Sequence, residues 1–300
     1  MEGWDLWHQF RFGTGMRLAA VEEYTSAERT EQPLIITLAG LGQAMSEKNY
    51  LFSNLRKRLA EHNQWVVQFD YMGHGDSAGL LEEATIASMI DDTLAALKTF
   101  TAKRKPGRIY MIGHALGAVV AQSAALAWEQ QTGQTCIPVL LSPLIGPIPA
   151  AKDVLDPGAL ALFDREEAVD TRLLFPGSDY YTLSDFNEEQ YRYMQRLGAH
   201  PLYLHGQCLG RALLSELDQL VPEELYSRNR HGLHVICGQR DSMTASLAAR
   251  LPRSTLHLLK DVHYYHQHPA SMDEAIDIIQ TITMPTLTES SPGRGTSVDG

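Results

Sequence analysis

The amino-acid sequence predicts an α/β protein built on a mostly parallel central sheet. Continuous apolar runs of strand length recur along the chain, and such runs are typical of strands that are covered on both faces. The stretches between them place apolar residues on one helical face. Strands that alternate with amphipathic helices indicate a parallel α/β sheet. This alternation is interrupted after Leu144 and resumes at Leu233.

The predicted elements follow one another along the chain in a simple order. A hairpin is expected over residues 7–24, with Gly13-Thr14-Gly15 as its turn. The predicted strands cover residues 33–38, 65–69, 109–112, 137–143, 233–237 and 256–259. The predicted helices cover residues 47–62, the stretch after the N-cap residue Thr85, residues 118–127 and residues 271–283.

Four regions are expected from this pattern. Residues 1–144 form the first part of the core and residues 231–285 the second part. Residues 145–230 are proline-rich, then short-helical and aromatic, and predict a cap inserted over the carboxyl edge of the sheet. Some of the aromatic residues in this region are expected to face a pocket and the others to form its own small core. The aromatic residues are Phe163, Phe175, Tyr180, Tyr181, Phe186, Tyr191, Tyr193 and Tyr203. Residues 286–300 are polar and rich in Gly, Ser and Pro, which predicts a disordered tail.

Composition excludes several classes of function. The formal net charge of −11 argues against nucleic-acid binding, which needs basic patches. No apolar run reaches the length of a membrane-spanning helix, and the first residues lack the apolar core of a signal peptide. Three cysteines, Cys136, Cys208 and Cys237, predict no disulfide framework and a cytoplasmic location. His263, His266 and His268 have no carboxylate or cysteine at ligand spacing, so no metal or other cofactor is expected.

The stretch Gly113-His114-Ala115-Leu116-Gly117 lies directly between a predicted strand and a predicted helix. A glycine at each end allows a tight bend and close packing of strand against helix. The central side chain, that of Ala115, is thereby raised to the edge of the sheet where ligands bind in open α/β folds.

This stretch resembles the nucleophile elbow of the α/β-hydrolase superfamily, in particular its lysophospholipase and monoacylglycerol-lipase-like branch. The order of the other parts agrees with that resemblance. Residues 70–77 match the D-x-x-G-x-G-x-S turn, Asp241 follows one strand, and His263 follows the next. The resemblance implies that Asp241 orients His263, that His263 is the general base, and that the N–H groups of Leu41 and Leu116 form an oxyanion hole.

Two positions depart from the family pattern. The first buried strand ends in Ala39-Gly40, where the family usually has His-Gly. The elbow carries Ala115 in place of the nucleophilic serine, and loss of that nucleophile costs on the order of 10⁶ in kcat. Neither Ser123, two helical turns past the elbow, nor Ser142, at the end of another strand, is expected to replace it.

Three functions remain open on the sequence alone. The chain is a Ser→Ala form of a working acyl hydrolase, or a natural protein whose Asp241–His263 pair abstracts a proton in a different reaction, or a non-catalytic ligand-binding or scaffold protein. In the first case the substrate is a small hydrophobic or aromatic acyl compound, lipid-like or carrier-bound, held as an ester, thioester or amide. The acidic composition disfavours an acidic carrier protein.

Simpler roles also fit several of these residues. Asp241 is suited to cap a helix, and His114 to pack or donate a hydrogen bond. His266 and His268 are expected at the surface or at the start of a helix, and Cys208 as a buried inert thiol.

Overall fold

A computed structural model of the protein describes residues 6–24, 32–155, 157–166, 168–170, 173 and 208–284. Within these residues, eight strands form one sheet in the order β1-β2-β4-β3-β5-β6-β9-β10. The strands of this sheet are β1 (Leu6–Phe12), β2 (Leu18–Tyr24), β3 (Leu34–Leu38), β4 (Trp65–Phe69), β5 (Ile109–His114), β6 (Cys136–Leu141), β9 (Leu233–Gly238) and β10 (Ser254–Leu259). The hairpin β1–β2 is antiparallel and joins β4 in antiparallel register, and all other pairs are parallel. The predicted fold class is confirmed.

Helices cover both faces of the sheet. They are α1 (Leu51–Glu61), α2 (Ile86–Lys103), α3 (Leu116–Thr132), α4 (Ala151–Val154), α5 (Pro157–Phe163), α6 (Arg211–Gln219), α7 (Pro222–Ser227), α8 (Ser242–Ala248) and α9 (Pro269–Thr283). Apolar residues of α1 and α9 pack on one face, and those of α2 and α3 pack on the other. Alternate residues of each central strand therefore face two different helix layers, which explains why these strands are apolar throughout.

Several described residues between β6 and β9 belong to the same core as α2 and α3. Its buried residues include Phe163, Leu209 and Leu213. It also contains a short antiparallel ribbon, β7 (Ala168–Asp170) with β8 (Cys208–Gly210), that the sequence analysis did not predict. The aromatic residues of this region that the sequence singled out, other than Phe163, lie outside the described residues, and so does the predicted tail.

Element boundaries differ from the predictions in a few places. The helix predicted from residue 47 begins at Leu51, because the preceding 3₁₀ turn has positive φ at Glu47 (59°), Asn49 (56°) and Tyr50 (58°). The closing helix begins at Pro269, two residues earlier than predicted, since His268 accepts a hydrogen bond from the N–H of Ala270. The cap at Thr85 is confirmed, because its hydroxyl accepts the N–H of Ser88 at 3.0 Å.

Two of the three cysteines, Cys136 and Cys237, are described as free thiols buried in the core. Burial raises the pKa of Cys136, and it raises the pKa of Cys237 to about 12. Both thiols are therefore unreactive near neutral pH. In the described part of the chain, no helix is long and apolar enough to cross a membrane.

Two histidines on adjacent strands should make stability depend on pH. His234 Nδ1 lies 3.1 Å from His257 Nε2, and burial, with the neighbouring His257, lowers the pKa of His234 from 6.5 to about 4. The unfolded chain therefore binds a proton at His234 at higher pH than the folded chain does. The contribution of the neutral His234 to the free energy of unfolding is therefore intact above pH 6.5 and is lost as the pH falls toward 4.

The free energy of unfolding of the native chain should fall between about pH 7 and about pH 5. We expect this fall to be smaller by about 1 kcal/mol in His234→Asn, a value discounted for the partial exposure of the ring. Urea unfolding at the two pH values measures this change. The same substitution at the exposed His62 is the control and should leave the loss unchanged. An equal loss in the native chain and in His234→Asn would contradict the lowered pKa.

Candidate active site

The elbow at the end of β5 has the strained backbone of a nucleophile position. Ala115 adopts φ 49° and ψ −113° between the last residue of β5 and the first residue of α3. A Cβ atom added at Gly113 would overlap the carbonyl oxygen of Gly117, and one added at Gly117 would overlap that of Leu38. Only glycine fits at these two positions, so the elbow brings the start of α3 against the end of β3.

The loop after β3 contains the N–H of Leu41, which has no hydrogen-bond partner in the described part of the chain. The N–H of Gly40 donates to Glu47 Oε2 at 2.7 Å, and the N–H of Gly42 donates to His74 Nε2 at 3.1 Å. Between them, the N–H of Leu41 makes no such bond. The two side chains thus accept the N–H groups on both sides of Leu41 and do not accept that of Leu41 itself.

A second unused N–H lies at the start of α3. Ala115 donates its N–H to the carbonyl of Leu141 at 3.1 Å, and Ala118 donates to the carbonyl of Ala115 at 3.1 Å. The N–H of Leu116 makes no hydrogen bond within the described residues. The first N–H groups of a helix have no intrahelical acceptor and lie at its positive end, which favours an anionic or carbonyl oxygen there.

His74 binds the loop at Gly42 as a neutral ring with its proton on Nδ1. Its Nδ1 lies 3.1 Å from the carbonyl of Met72, so Nδ1 carries the proton and Nε2 is left to accept the N–H of Gly42. Burial lowers the pKa of His74, which keeps the ring neutral. The turn that carries His74 is fixed by Asp70, whose carboxylate accepts the N–H groups of Met45 at 2.6 Å and Asp76 at 2.9 Å.

Glu47 is a buried carboxylate beside the elbow. Besides Gly40, it accepts the N–H of Lys48 at 2.8 Å, and His114 Nδ1 lies 3.2 Å from its Oε1. This contact lies within ion-pair distance, although its angle is poor for a hydrogen bond. Burial alone would raise the pKa of Glu47, but His114 and the donated hydrogen bonds outweigh it, so the pKa is lowered and the side chain is ionised.

Asp241 and His263 lie in two loops that are bound to each other at the carboxyl edge of the sheet. The N–H of Gln239 donates to the carbonyl of Leu259 at 2.8 Å, and the N–H of Arg240 donates to that of Val262 at 2.9 Å. A Cβ added to Gly238 would overlap the backbone of His263. The loops after β9 and β10 are therefore side by side.

The two side chains have different surroundings. Asp241 is buried, and its Oδ1 accepts the N–H of Thr244 at 3.1 Å as the N-cap of α8. The half-buried His263 packs its ring edge-on against Tyr264, and the backbone N–H of His263 donates to Gln267 Oε1 at 2.7 Å. Asp241 therefore has the helix-capping role that the sequence suggested, whatever else its second oxygen does.

Sequence reasoning missed Glu47 and His74. His74 accepts the N–H of Gly42 from a turn 32 residues further along the chain, and Glu47 accepts the N–H of Gly40 from 7 residues further along, within a stretch that the sequence predicted to be helical. Ser142, just past β6, has φ 44° and a buried hydroxyl without a hydrogen bond in the described residues. It lies on the strand next to the elbow, because the carbonyl of Leu141 accepts the N–H of Ala115. Among the described residues, no group of three His, Cys, Asp or Glu side chains could hold a metal ion.

The mostly parallel sheet with helices on both faces, together with the strained elbow after β5, is the fold of an α/β hydrolase. The chain belongs to the serine aminopeptidase S33 family, whose family model matches residues 34–267. No curated protein is a significant match in sequence.

Solved structures share the fold at low sequence identity. A thermostable carboxyl esterase from Bacillus coagulans has a TM-score of 0.64 and 14% identity, with 93% of this chain and 97% of that chain covered. Est1E from Butyrivibrio proteoclasticus, solved with ferulic acid bound, has a TM-score of 0.60 and 15% identity, with 89% and 95% covered. A monoacylglycerol lipase from Paleococcus ferrophilus has a TM-score of 0.58 and 16% identity, with 89% and 98% covered.

Ala115→Gly should stabilise the protein. A non-glycine residue in a sparsely populated backbone region costs about 1–3 kcal/mol, and the glycine offsets about 0.4–1 kcal/mol of that gain through the unfolded state. We therefore expect a net gain of about 1 kcal/mol in the free energy of unfolding, measured in urea.

The same substitution inside α3, Ala127→Gly, is the matched control. It should lower stability by about 1 kcal/mol, because glycine is a poor helix former. If Ala115→Gly destabilised the chain as Ala127→Gly does, the elbow would not be strained.

Proposed function

We propose that this protein binds a hydrophobic acyl compound, an ester, thioester or amide, with its carbonyl oxygen between the N–H groups of Leu41 and Leu116. Position 115 then places a methyl group where a hydrolase of this fold places its nucleophile. The bound compound is therefore not cleaved through an acyl-enzyme, because alanine has no lone pair to attack a carbonyl.

One observation carries this proposal. Ala115 keeps the strained elbow backbone although no serine is present, and the N–H of the next residue, Leu116, and that of Leu41 in the loop after β3 make no hydrogen bond within the described residues. A strained non-glycine residue persists only when its surroundings fix it, and such residues concentrate at functional sites. The donors that would stabilise an oxyanion are equally able to hold a carbonyl oxygen.

In this proposal Asp241 orients and stabilises His263, which would serve as general base if a nucleophile were present. The juxtaposed loops after β9 and β10 support this pairing. Residues 145–230 act as a cap that shields the acyl group from water. The esterase and lipase structures of the same fold support an acyl ligand, and the ferulic acid bound to Est1E makes an aromatic acyl ester a reasonable probe.

Amide NMR spectra of the native chain test the proposal. We expect ethyl ferulate or a p-nitrophenyl ester of medium chain length to bind saturably and to shift the amide signals of Leu41 and Leu116. The amide signals of Leu34 and Cys136, at the opposite end of the sheet, serve as controls and should not move. No p-nitrophenol should be released above the rate in buffer. Saturable binding that leaves the amide signals of Leu41 and Leu116 unchanged, or no binding across the ester series, would refute the proposal.

A further inference from the structure

We propose that Glu47 is a positioning residue that fixes the loop carrying Leu41 against the elbow carrying Leu116, and so sets the separation of the two N–H donors. This inference rests on the proposed function, since it concerns the same carbonyl-binding site. It explains how the site is kept in place although the usual histidine of the first strand end is Ala39.

The contacts of Glu47 reach both halves of the site. Oε2 accepts the N–H of Gly40, the residue before Leu41, at 2.7 Å. Oε1 lies 3.2 Å from Nδ1 of His114, two residues before Leu116. The side chain is completely enclosed, so water does not compete for either contact. One carboxylate therefore ties the end of β3 to the end of β5.

Glu47 is itself held rigidly. It has φ 59° in a 3₁₀ turn, its N–H donates to the carbonyl of Ala44 at 2.9 Å, and its carbonyl accepts the N–H of Tyr50 at 3.0 Å. The hydroxyl of the buried Tyr265 donates to the carbonyl of Lys48 at 3.1 Å, and the Tyr265 ring packs edge-on against His114. A carboxylate on a fixed turn can fix its partners, whereas one on a mobile turn could not.

Glutamine cannot replace Glu47, because both carboxylate oxygens of Glu47 accept backbone N–H groups. Both oxygens are used, with Gly40 on one and with Lys48 and His114 on the other. Glutamine has the same shape but only one oxygen, so Glu47→Gln leaves one backbone N–H facing an amide NH₂ group. We expect the loop to loosen at Gly40 and Leu41 while β3 remains intact.

The first test uses the native chain and needs no catalytic activity. In Glu47→Gln, hydrogen exchange at the amide of Gly40 should be at least about tenfold faster, while the amides of Ile35 and Ile36 keep their protection. Glu129→Gln is the matched control. Glu129 also accepts a backbone N–H, that of Cys136 at 3.0 Å, and lies 3.7 Å from His231, but it lies at the far end of α3. Unchanged exchange at Gly40 in Glu47→Gln would overturn the proposal.

The second test uses the Ala115→Ser background. There, Glu47→Gln should lower kcat by about 10–100-fold with little change in KM, because misplaced donors weaken the transition state more than the ground state. Glu129→Gln should change stability only. A folded Glu47→Gln with full kcat would overturn the proposal.

Two further outcomes are separable. If the native chain binds none of the esters, the proposed function fails, and hydrogen exchange alone decides the role of Glu47. If Glu47→Gln does not fold, Glu47→Asp gives the same readouts, since it keeps the charge but is too short to reach both partners. Normal exchange at Gly40 in that variant would overturn the role of Glu47.

Discussion

Ala115→Ser is expected to give a protein that hydrolyses p-nitrophenyl esters with kcat/KM at least about 10³-fold above that of the native chain. The elbow already has the backbone that a nucleophile needs, with φ 49° and ψ −113°. The serine hydroxyl would replace a methyl hydrogen without moving the chain. In serine hydrolysis of this kind, removing the serine lowers kcat by on the order of 10⁶-fold, so we expect its restoration to raise kcat strongly.

Ser142→Ala is the control for this experiment. Ser142 is the serine on the strand next to the elbow, and it also has a positive φ, 44°. Adding Ser142→Ala to Ala115→Ser should leave the ester hydrolysis in place. Activity of the native chain that disappears with Ser142→Ala would show that Ser142, not position 115, carries the reaction.

In the Ala115→Ser background, Asp241→Asn is expected to lower kcat by about 10⁴-fold. Asparagine cannot stabilise an imidazolium and favours the wrong histidine tautomer, so His263 would no longer accept the serine proton. The substitution isolates this effect, because asparagine caps a helix as well as aspartate does and keeps the hydrogen bond to Thr244. The unfolding free energy should therefore change by less than about 0.5 kcal/mol.

Asp261→Asn provides the comparison. Asp261 is an exposed carboxylate in the neighbouring turn, with φ 56°, which asparagine tolerates well. It should leave kcat unchanged. If Asp241→Asn retained the activity of its parent, Asp241 would be a helix cap and nothing more.

The parts of the site that the sequence predicts are those encoded by neighbouring residues. Gly113 and Gly117 bracket Ala115 within five positions, and the steric limit at Gly113 follows from that spacing, because a Cβ added there would overlap Gly117. Thr85 caps α2 through Ser88, three residues away. The sheet is predictable for a similar reason, because each strand that is covered on both faces is a continuous apolar run.

The parts that the sequence does not reveal depend on contacts between distant turns. His74 accepts a hydrogen bond from Gly42, 32 residues earlier, and nothing in either local sequence indicates the pairing. The sequence predicts that the helix α1 begins at residue 47, but Glu47, Asn49 and Tyr50 have positive φ. This turn places the Glu47 carboxylate against the N–H of Gly40 and beside His114. The ribbon of β7 and β8 is similar, since its strands have three residues each and pair across a long separation in sequence.

The most direct test is intact-protein mass spectrometry after treatment with a fluorophosphonate. Such a reagent forms a covalent bond only with a nucleophile that is activated and held beside an oxyanion hole. We expect Ala115→Ser to gain one adduct, located at position 115 by peptide mapping, and to lose it when Asp241→Asn or His263→Ala is added. The native chain should remain unlabelled. A folded Ala115→Ser that remains unlabelled would show that the hydrolase site is not intact around Ala115.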